Sequence, residues 1–270
     1  MKVWFITGTS KGFGRIWAEA ALERGDKVIA TARNAATLDD IVEKYEENIL
    51  ALALDVTDRA AVFDAVRQAH ERFGRLDVVI NNAGYGQFGT VEELSEAEVR
   101  AQIETNLFGA LWVTQAALPI LRAQGSGHII QISSIGGVTA FPNIGMYHAS
   151  KWALEGISQA LSGEVADLGI KVTLVEPTGF STDWGGPSAK HATPLLAYQP
   201  IRDANANRWK DRKRGDPEAT APVMLKLVDM ENPPLRIFFG KDTVEIAHTE
   251  YAKRLAEWDA FKALSDEAHG

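Results

Sequence analysis

A tyrosine and a lysine stand four positions apart in the segment GMYHASKWALEG, residues 145–156. The segment predicts a helix, and residues four apart lie on one face of a helix. An ammonium group beside a phenol favours the phenolate, so Lys151 is expected to lower the pKa of Tyr147 from its usual value of about 10. Such a pair suits proton exchange near neutral pH, but chance Tyr-x-x-x-Lys spacings are common, so other residues must support it.

The composition restricts the chemistry that the pair could serve. The chain has 270 residues, 46% of them hydrophobic, with a net charge of −8 and no cysteine. The acidic balance argues against a general affinity for nucleic acid or membranes, and the lack of cysteine excludes disulfides and thiolate sites. No HExxH spacing supports a metal site, and no apolar run approaches the roughly 20 residues of a membrane span. We therefore expect a cytoplasmic protein that binds a small molecule and no metal.

Short apolar runs rich in Val and Ile alternate with longer amphipathic segments. Their nearly continuous hydrophobicity is typical of strands covered on both faces. Strands are predicted at 3–7, 27–32, 49–54, 76–80, 128–133, 171–176 and 236–240. Helices are predicted at 13–24, 38–46, 58–73, 96–123, 147–168, 217–229 and from 244 onward. Uninterrupted alternation predicts one α/β domain over residues 1–270, a doubly wound parallel sheet of about seven strands with helices on both faces.

Local signals mark two helix starts and one irregular segment. Thr37 with Asp40, and Ser95 with Glu98, match the capping box that begins a helix. Residues 183–216 break the alternation and are rich in Gly, Pro and Trp. Segments of that length without regular structure are usually lids, binding loops or disordered regions. We predict a substrate-binding loop that closes over a bulky, mostly apolar substrate.

The segment TGTSKGFG, residues 7–14, follows the first predicted strand and opens the first helix. Its glycines permit a tight turn and a close approach of the backbone to a ligand, and a helix N-terminus favours a pyrophosphate. The spacing is G-x-x-x-G-x-G rather than the commoner G-x-G-x-x-G. A dinucleotide is therefore predicted to contact Gly8, Ser10, Lys11, Gly12, Phe13 and Gly14.

The end of the second strand indicates which dinucleotide binds. An acid that holds the ribose 2′-hydroxyl of NAD is typical there, but this strand ends in Ala32 and Arg33. Ala32 leaves space, and Arg33 and Lys11 could both pair with a 2′-phosphate, although either alone could be a solvated surface charge. Together they favour NADP(H).

With these motifs the sequence resembles the short-chain dehydrogenase/reductase family in its one-domain, Rossmann-like form. The resemblance covers about residues 1–182 closely and the rest more loosely. It rests on TGxxxGxG at 7–14, LDVTD at 54–58, NNAG at 81–84, Asn106, Ser134 and Tyr147-x-x-x-Lys151. Ser134 lies thirteen residues before Tyr147, as the family requires.

The resemblance implies a role for each matching residue, although each alone could be a cap, a turn or a core residue. The catalytic set would be Tyr147 for proton transfer, Ser134 for the substrate oxygen, Lys151 for the nicotinamide ribose and Asn106 for a water. Further cofactor contacts would come from Arg33, Asp55, Val56, Asn82, Ala83, Gly84, Tyr147, Lys151, Pro177, Gly179 and Thr182. Family members also often form homo-oligomers through the helices near 96–123 and 147–168.

One segment departs from the family pattern. Members usually carry Pro-Gly after the sixth strand, whereas this chain has Pro177-Thr178-Gly179. Threonine places a Cβ where glycine is expected, so Gly179 is expected to take over the permissive backbone conformation.

Three functions remain open. The complete catalytic set favours an NADP(H)-dependent oxidoreductase that interconverts a ketone or aldehyde and an alcohol. The alternatives are an epimerase or dehydratase on the same fold, and a non-catalytic NADP(H)-binding sensor, which would be expected to lose the tyrosine or the lysine. Candidate pocket residues are apolar or aromatic: Tyr85, Phe88, Phe141, Trp184, Leu195, Leu196 and Tyr198, with Trp209 helping to exclude water.

Overall fold

A parallel sheet forms the centre of the protein. The structure is a computed structural model that describes residues 1–186, 188–210 and 212–270, without the side chains of 208–210. The strands are β1 (Val3–Thr7), β2 (Lys27–Ala32), β3 (Ile49–Ala53), β4 (Val78–Asn81), β5 (Gln87–Phe88), β6 (Gly127–Ile132), β7 (Ile170–Pro177), β8 (Lys190–His191) and β9 (Arg236–Phe239). Seven of them form the main sheet, in the order β3-β2-β1-β4-β6-β7-β9, with all neighbours parallel. The predicted seven-stranded, doubly wound sheet is confirmed, and its order reverses between β1 and β4.

Helices cover both faces of this sheet. They are α1 (Gly12–Glu23), α2 (Asp39–Tyr45), α3 (Arg59–Phe73), α4 (Glu96–Ile103), α5 (Gly109–Gln124), α6 (Gly145–Val165), α7 (Gln199–Lys210), α8 (Thr220–Asp229), α9 (Thr243–Ala260) and α10 (Lys262–Glu267). Helices α1, α2 and α8 bury their apolar residues on one face, and α3, α5 and α6 on the other. Along the described residues, no helix combines the length and apolarity that crossing a bilayer would need.

Strand β1 illustrates why its sequence lacks polar alternation. Successive side chains of a strand point to opposite faces of the sheet. Trp4 and Ile6 therefore pack with Trp17 of α1, while Val3 and Phe5 pack beneath α3 and α5 on the other face. Because both faces are covered by helices, every position of the strand is buried.

One of the two predicted helix starts is confirmed and the other is wrong. Ser95 begins α4 in a capping box with Glu98, whose backbone N–H donates to the Ser95 hydroxyl. Thr37 instead lies inside a short 3-10 helix that begins after Asn34, because the Asn34 side chain accepts from the Ala36 N–H. The Thr37 hydroxyl donates to the Asn34 carbonyl oxygen, at 2.7 Å, and caps nothing.

The long helix predicted at 96–123 is interrupted. A π-helical turn at Glu104–Phe108 separates α4 from α5, and it contains Asn106. Such a turn widens the helix by one residue and occurs often at functional sites. Here it turns the Asn106 side chain into the protein, where it is buried.

The segment 183–216 contains more regular structure than a loop. Short 3-10 helices form at Asp183–Gly185 and Leu196–Tyr198, β8 pairs with β5, and α7 follows. The β5–β8 pairing fixes the first part of the segment, at residues 190–191, next to the turn that follows β4. Trp209 lies outside the described side chains, so its predicted role in excluding water stays a prediction.

Candidate active site

Tyr147 and Lys151 lie in the first two turns of α6. Each is only 6% exposed. The Lys151 Nζ is 5.7 Å from the centroid of the Tyr147 ring and donates to the Ile132 carbonyl oxygen at 2.7 Å. Because Ile132 is the last residue of β6, this hydrogen bond fixes the ammonium group at the carboxyl end of the sheet.

Ser134 follows β6 and faces the same place. Its Oγ accepts from the Gly136 N–H at 3.0 Å and lies 3.5 Å from the Pro177 carbonyl oxygen at the end of β7. Its hydroxyl also acts on Tyr147, whose pKa it lowers against the effect of burial. The serine predicted to bind the substrate oxygen therefore lies beside the predicted proton donor.

Asn106 is held by the backbone of Tyr85. Its Oδ1 accepts from the Tyr85 N–H at 3.1 Å, and its Nδ2 donates to the Tyr85 carbonyl oxygen at 3.0 Å. A second donor contact from Nδ2 reaches the Ser150 hydroxyl at 3.2 Å. A Cβ on Gly84 would lie 3.1 Å from Asn106 Oδ1 and 3.8 Å from Lys151 Nζ, so glycine at this position lets both side chains approach the strand end.

Burial controls the proton affinities of the tyrosine and the lysine. It raises the pKa of Tyr147 to about 12, against the hydrogen bond from Ser134. It lowers the pKa of Lys151 to about 8, against the charge of Glu155. The net pKa of Tyr147 in the chain by itself is therefore raised, not lowered, because desolvation of the phenolate dominates. That the Lys151 ammonium, 5.7 Å from the ring centroid, lowers the tyrosine pKa stays a prediction. The phenol keeps its proton at neutral pH.

The glycine turn leads from β1 into α1. Gly8 and Gly12 have φ angles of 71° and 60°, which favour glycine. A Cβ on Gly14 would lie 2.5 Å from the Gly8 oxygen. The Asn82 Nδ2 supports the turn by donating to the oxygens of Thr7 and Gly8 at 2.9 and 3.0 Å. A bare backbone at a helix N-terminus fits the pyrophosphate of a dinucleotide.

Other predicted cofactor residues also have structural tasks. The Ala83 N–H donates to the Thr7 hydroxyl at 3.0 Å. The Phe13 ring stacks on Trp17, with centroids 5.1 Å apart, so its side chain belongs to the core while its backbone opens α1. Ser10 is exposed in the glycine turn.

The turn after β3 holds two of the predicted cofactor contacts, Asp55 and Val56. Asp55 Oδ1 accepts from the N–H and the hydroxyl of Thr57, at 3.0 and 2.8 Å. Val56 is buried, and its Cγ2 would lie 2.6 Å from a Cβ on Gly109. Asp55 thus stabilises the turn after β3 in this structure. Its side chain is exposed, and its contact with a cofactor stays a prediction.

The two basic residues predicted to hold a 2′-phosphate differ in their surroundings. Arg33 is exposed directly after β2, next to the buried Ala32. The Lys11 Nζ lies 3.0 Å from Asp183 Oδ2 in an exposed ion pair. Lys11 therefore joins the glycine turn to the start of residues 183–216, the predicted substrate segment, a contact that the sequence did not reveal.

The expectation for Gly179 is wrong. Gly179 has no left-handed φ angle, and nothing lies within 4 Å of a Cβ placed on it. The Thr178 side chain is instead accommodated by Gly240, where φ is 123° and a Cβ would lie 2.2 Å from Thr178 Cγ2. The glycine with the permissive conformation is thus Gly240, directly after β9. The backbone after Pro177 continues the β7–β9 pairing, because the Thr178 N–H donates to the Phe239 oxygen at 3.0 Å.

Trp184 forms an aromatic wall beside the tyrosine. Its ring centroid lies 4.9 Å from that of Tyr147 and 5.8 Å from that of Phe88. A Cβ on Gly86 would lie 2.7 Å from Trp184 Cζ2, so this glycine makes room for the indole. The turn that carries Trp184 begins at Thr182, whose Oγ1 accepts from the Trp184 N–H at 3.4 Å.

The remaining pocket candidates divide into two groups. Phe141 packs edge-on against His148 at 5.5 Å, next to the tyrosine. The centroid of the Tyr85 ring lies 4.6 Å from the Lys190 Nζ, which faces the ring. Leu195, Leu196 and Tyr198 are not brought to the tyrosine: the Leu195 N–H donates to Glu93, Leu196 is 90% exposed, and the Tyr198 hydroxyl donates to Glu92.

Glu93 is a structural residue that the sequence did not reveal. It accepts from the Leu195 N–H at 2.7 Å, the Thr90 N–H at 2.8 Å and Arg202 Nη1 at 2.6 Å. These backbone hydrogen bonds first, and then the arginine, lower the pKa of Glu93 to about 2. Glu93 thereby anchors the substrate segment to the chain that follows β5. Two of its partners, Leu195 and Arg202, lie 102 and 109 residues away, so no local pattern could have indicated this anchor.

Comparison with known proteins agrees with this geometry. The chain matches the family described as short chain dehydrogenase over residues 2–192. It is 46% identical over 250 residues to Oxidoreductase BOA17 of Botryotinia fuckeliana, covering 91% of each chain. It is 38% identical over 244 residues to a 3-ketodihydrosphingosine reductase of Bacteroides thetaiotaomicron, covering 87% of this chain and 86% of that one.

Solved structures give the same result. A short-chain dehydrogenase from Streptomyces avermitilis has a TM-score of 0.93 at 39% identity, covering 99% of this chain and 100% of that one. Similar structures include complexes with NADP and with NAD. The chain belongs to the short-chain dehydrogenase/reductase family and is an oxidoreductase of the kind that uses a nicotinamide cofactor. Within the described parts of the chain, no group of three His, Cys, Asp or Glu is placed to hold a metal ion.

Proposed function

We propose that this protein is a cytoplasmic NADP(H)-dependent oxidoreductase that interconverts a ketone or aldehyde and an alcohol, with Tyr147 as the acid and base. The observation that carries the proposal is the meeting of a protonated phenol, a serine hydroxyl and a buried ammonium group at one end of β6. The glycine turn that suits a dinucleotide lies at the same end of the sheet.

The residues of this chain divide the work of a carbonyl reduction. When bound, NADPH supplies a hydride to the carbonyl carbon, and NADP⁺ accepts one in the reverse direction. Tyr147 donates its proton to the carbonyl oxygen as negative charge develops there. Ser134 donates a second hydrogen bond to the same oxygen. The Lys151 ammonium, 5.7 Å from the ring centroid, stabilises the phenolate that remains.

A panel of carbonyl compounds tests the reaction. NADPH oxidation is followed with small polar ketones, aldehydes and long-chain 3-keto compounds, the class named for the Bacteroides relative. Net consumption of NADPH with formation of an alcohol supports the proposal. Conversion of a substrate without net consumption would indicate an epimerase or dehydratase, and tight binding without turnover would indicate a sensor.

Arg33 is expected to select the cofactor. The wild-type protein should bind NADPH at least about ten times more tightly than NADH, a difference of about 1.4 kcal/mol. Arg33→Asp should abolish most of this preference by weakening NADPH binding, because it replaces the cation beside Ala32 with an acid that favours a free 2′-hydroxyl. Fluorescence titration with both cofactors measures the effect.

Arg122→Asp is a matched control for that titration. Arg122 is exposed in the last turn of α5, close to the start of β6 and so at the opposite end of the sheet from the glycine turn. It makes the same change in net charge. Equal loss of NADPH affinity in both variants, or equal affinity of the wild type for the two cofactors, would contradict the assignment.

The substrate segment is expected to be protected when the site is filled. Trp184 contacts Tyr147, and Glu93 and Lys11 hold the segment to its surroundings. NADPH together with a ketone substrate should slow proteolytic cleavage within 188–207, since closure over the substrate orders this chain. Mass spectrometry of timed digests locates the cuts. Equal cleavage rates in the free and filled states would argue against closure, and faster turnover of small polar substrates would argue against an apolar pocket.

A further inference from the structure

Two buried glutamates lie directly behind the catalytic residues. Glu155 is one helical turn after Lys151 on α6, and Glu176 immediately precedes Pro177 on β7. Glu155 is 7% exposed and Glu176 is 0% exposed. Carboxylates are rarely buried to this extent unless they are paired. The proposed carbonyl reduction gives neither of them a role.

A single arginine serves both carboxyl groups. The Arg236 Nε lies 2.9 Å from Glu155 Oε2 and 3.6 Å from Glu176 Oε1. Its Nη2 donates to Gln159 Oε1 at 2.8 Å. One guanidinium can balance the charge of one carboxylate, and this one lies closer to Glu155, so a charge on Glu176 would be the less compensated of the two.

The lack of hydrogen-bond donors to most oxygens of the pair, within the part of the chain that the structure describes, favours a shared proton. Among the described residues, neither oxygen of Glu176 nor Oε1 of Glu155 has a donor. Two ionised carboxylates are acceptors only and repel each other, whereas a protonated carboxyl donates to its neighbour. Burial first, and then the charge and hydrogen bond of Glu155, raise the pKa of Glu176 to about 8. The proton therefore belongs mainly to Glu176.

Glu155 is packed against the turn that carries Ser134. A Cβ on Gly137 would lie 3.0 Å from Glu155 Cγ and 2.6 Å from Ser133 Oγ, so glycine lets the glutamate side chain pass beside this turn. The negative charge of Glu155 opposes the loss of the Lys151 proton that burial promotes. The glutamate pair and the catalytic ammonium group are thus electrostatically linked.

We propose that Glu155 and Glu176 share one proton as a carboxyl pair, and that the charge left on Glu155 keeps Lys151 in its ammonium form. Both glutamates are positioning residues, since neither lies at the reacting atoms. The proton sharing stands independently, and only the kinetic test below rests on the proposed function.

The other titratable neighbours of Lys151 and of the pair that the structure describes do not supply this charge. Tyr147 lies beside Lys151, His148 follows Tyr147 on α6, and Arg236 of β9 lies beside the two glutamates. Burial keeps Tyr147 protonated, and burial lowers the pKa of His148, whose ring nitrogens bond to the Gly136 oxygen and the Phe141 N–H. Arg236 is a cation. With Glu176 protonated, Glu155 is the carboxylate of this group.

Thermal unfolding across pH tests the shared proton. The folded protein holds a proton on Glu176 up to a pKa of about 8, while the unfolded chain loses it at about 4.3. Wild-type stability should therefore fall as pH rises between these values. Glu176→Gln keeps a hydrogen-bond donor but does not titrate, so its Tm relative to the wild type should rise by at least about 3 °C from pH 5 to pH 8.

A control and a measurement on the wild type complete this test. Glu164→Gln removes an exposed glutamate from the same helix and should show no such trend. Isotope-edited infrared spectra of the wild-type protein, labelled at glutamate, should show a protonated carboxyl at pH 7. A Tm difference that does not change with pH, or the absence of that carboxyl band, would overturn proton sharing.

Titration of Lys151 tests the second part of the proposal, that the charge of Glu155 keeps this lysine in its ammonium form. In NMR spectra of protein labelled at lysine Cε, Glu155→Gln should lower the pKa of Lys151 by about one unit, the size expected for loss of a nearby opposite charge. Glu155→Asp and Glu164→Gln should leave it close to the wild-type value. The Lys151→Arg variant assigns the signal. An unchanged titration in Glu155→Gln would overturn the link to Lys151, whether or not a ketone substrate is found.

The kinetic readout follows from the same shift. With a ketone substrate, the alkaline limb of the kcat/KM profile of Glu155→Gln should move by about one pH unit to lower pH. A uniform fall in kcat/KM without movement of the limb would show a merely structural role and overturn the link. Absence of turnover in the wild type would refute the proposed reaction, while the infrared and NMR results would still decide the carboxyl pair.

Discussion

Tyr147→Phe is expected to reduce turnover at least about 100-fold, the lower range for loss of a general acid. The substitution removes only the hydroxyl group that donates the proton. The ring that packs 4.9 Å from Trp184 remains, so folding and NADPH affinity should be almost unchanged. Steady-state kinetics with NADPH and a ketone, cofactor titration and thermal unfolding measure the three quantities.

Tyr251→Phe is the matched control, because Tyr251 is half exposed on α9, which carries none of the catalytic residues. It should retain wild-type turnover. Retention of more than about a tenth of wild-type turnover by Tyr147→Phe would be a much smaller loss than removal of a general acid causes. The tyrosine would then not be the proton donor, and the proposed mechanism would be wrong.

Lys151→Ala is expected to lower turnover and cofactor affinity together. It removes the cation 5.7 Å from the Tyr147 ring and the group fixed to the Ile132 oxygen at 2.7 Å. We expect turnover to fall at least about 100-fold and NADPH to bind at least about ten-fold more weakly. The same kinetic and titration experiments measure both effects.

Two comparisons separate the charge of Lys151 from its volume. Lys151→Met fills most of the space but carries no charge, and it should resemble the alanine variant in activity while unfolding at a higher temperature. Lys226→Ala changes an exposed lysine of α8 and should leave both quantities unchanged. Normal NADPH affinity in Lys151→Ala would remove the lysine from the cofactor site.

The strands were predictable because their physical signal is local. In a parallel sheet covered on both faces, each strand is an unbroken apolar run, and the seven runs of the sequence lie within two residues of the observed strands. The two failures have different causes, the first local and the second nonlocal. Thr37 matched a capping pattern, but Asn34 bonds to the chain first. The π-helical turn at Asn106 depends on the Tyr85 backbone, which a helical period does not reveal.

The structure brings together side chains that the sequence singled out, but the sequence did not indicate their electrostatics. Ser134, Tyr147 and Lys151 come together because β6 ends and α6 begins at the same edge of the sheet. Spacing carries no information on desolvation, so the raised pKa of Tyr147 was missed. It also could not show that Gly86 accommodates Trp184, or that Gly240 and not Gly179 accommodates Thr178.

Deletion of one residue within Glu104–Phe108 would convert the π-helical turn into a regular α-helix. Each residue of an α-helix advances the chain by about 100° around the axis. If α5 kept its apolar side, with Val113 and Leu121, against the sheet, α4 and the turn would rotate, and Asn106 would lose the Tyr85 backbone. If Asn106 instead kept its contact with the Tyr85 backbone, α5 would rotate and turn Val113 and Leu121 toward solvent. The number of residues here is therefore constrained more tightly than the identity of a partly exposed neighbour such as Thr105.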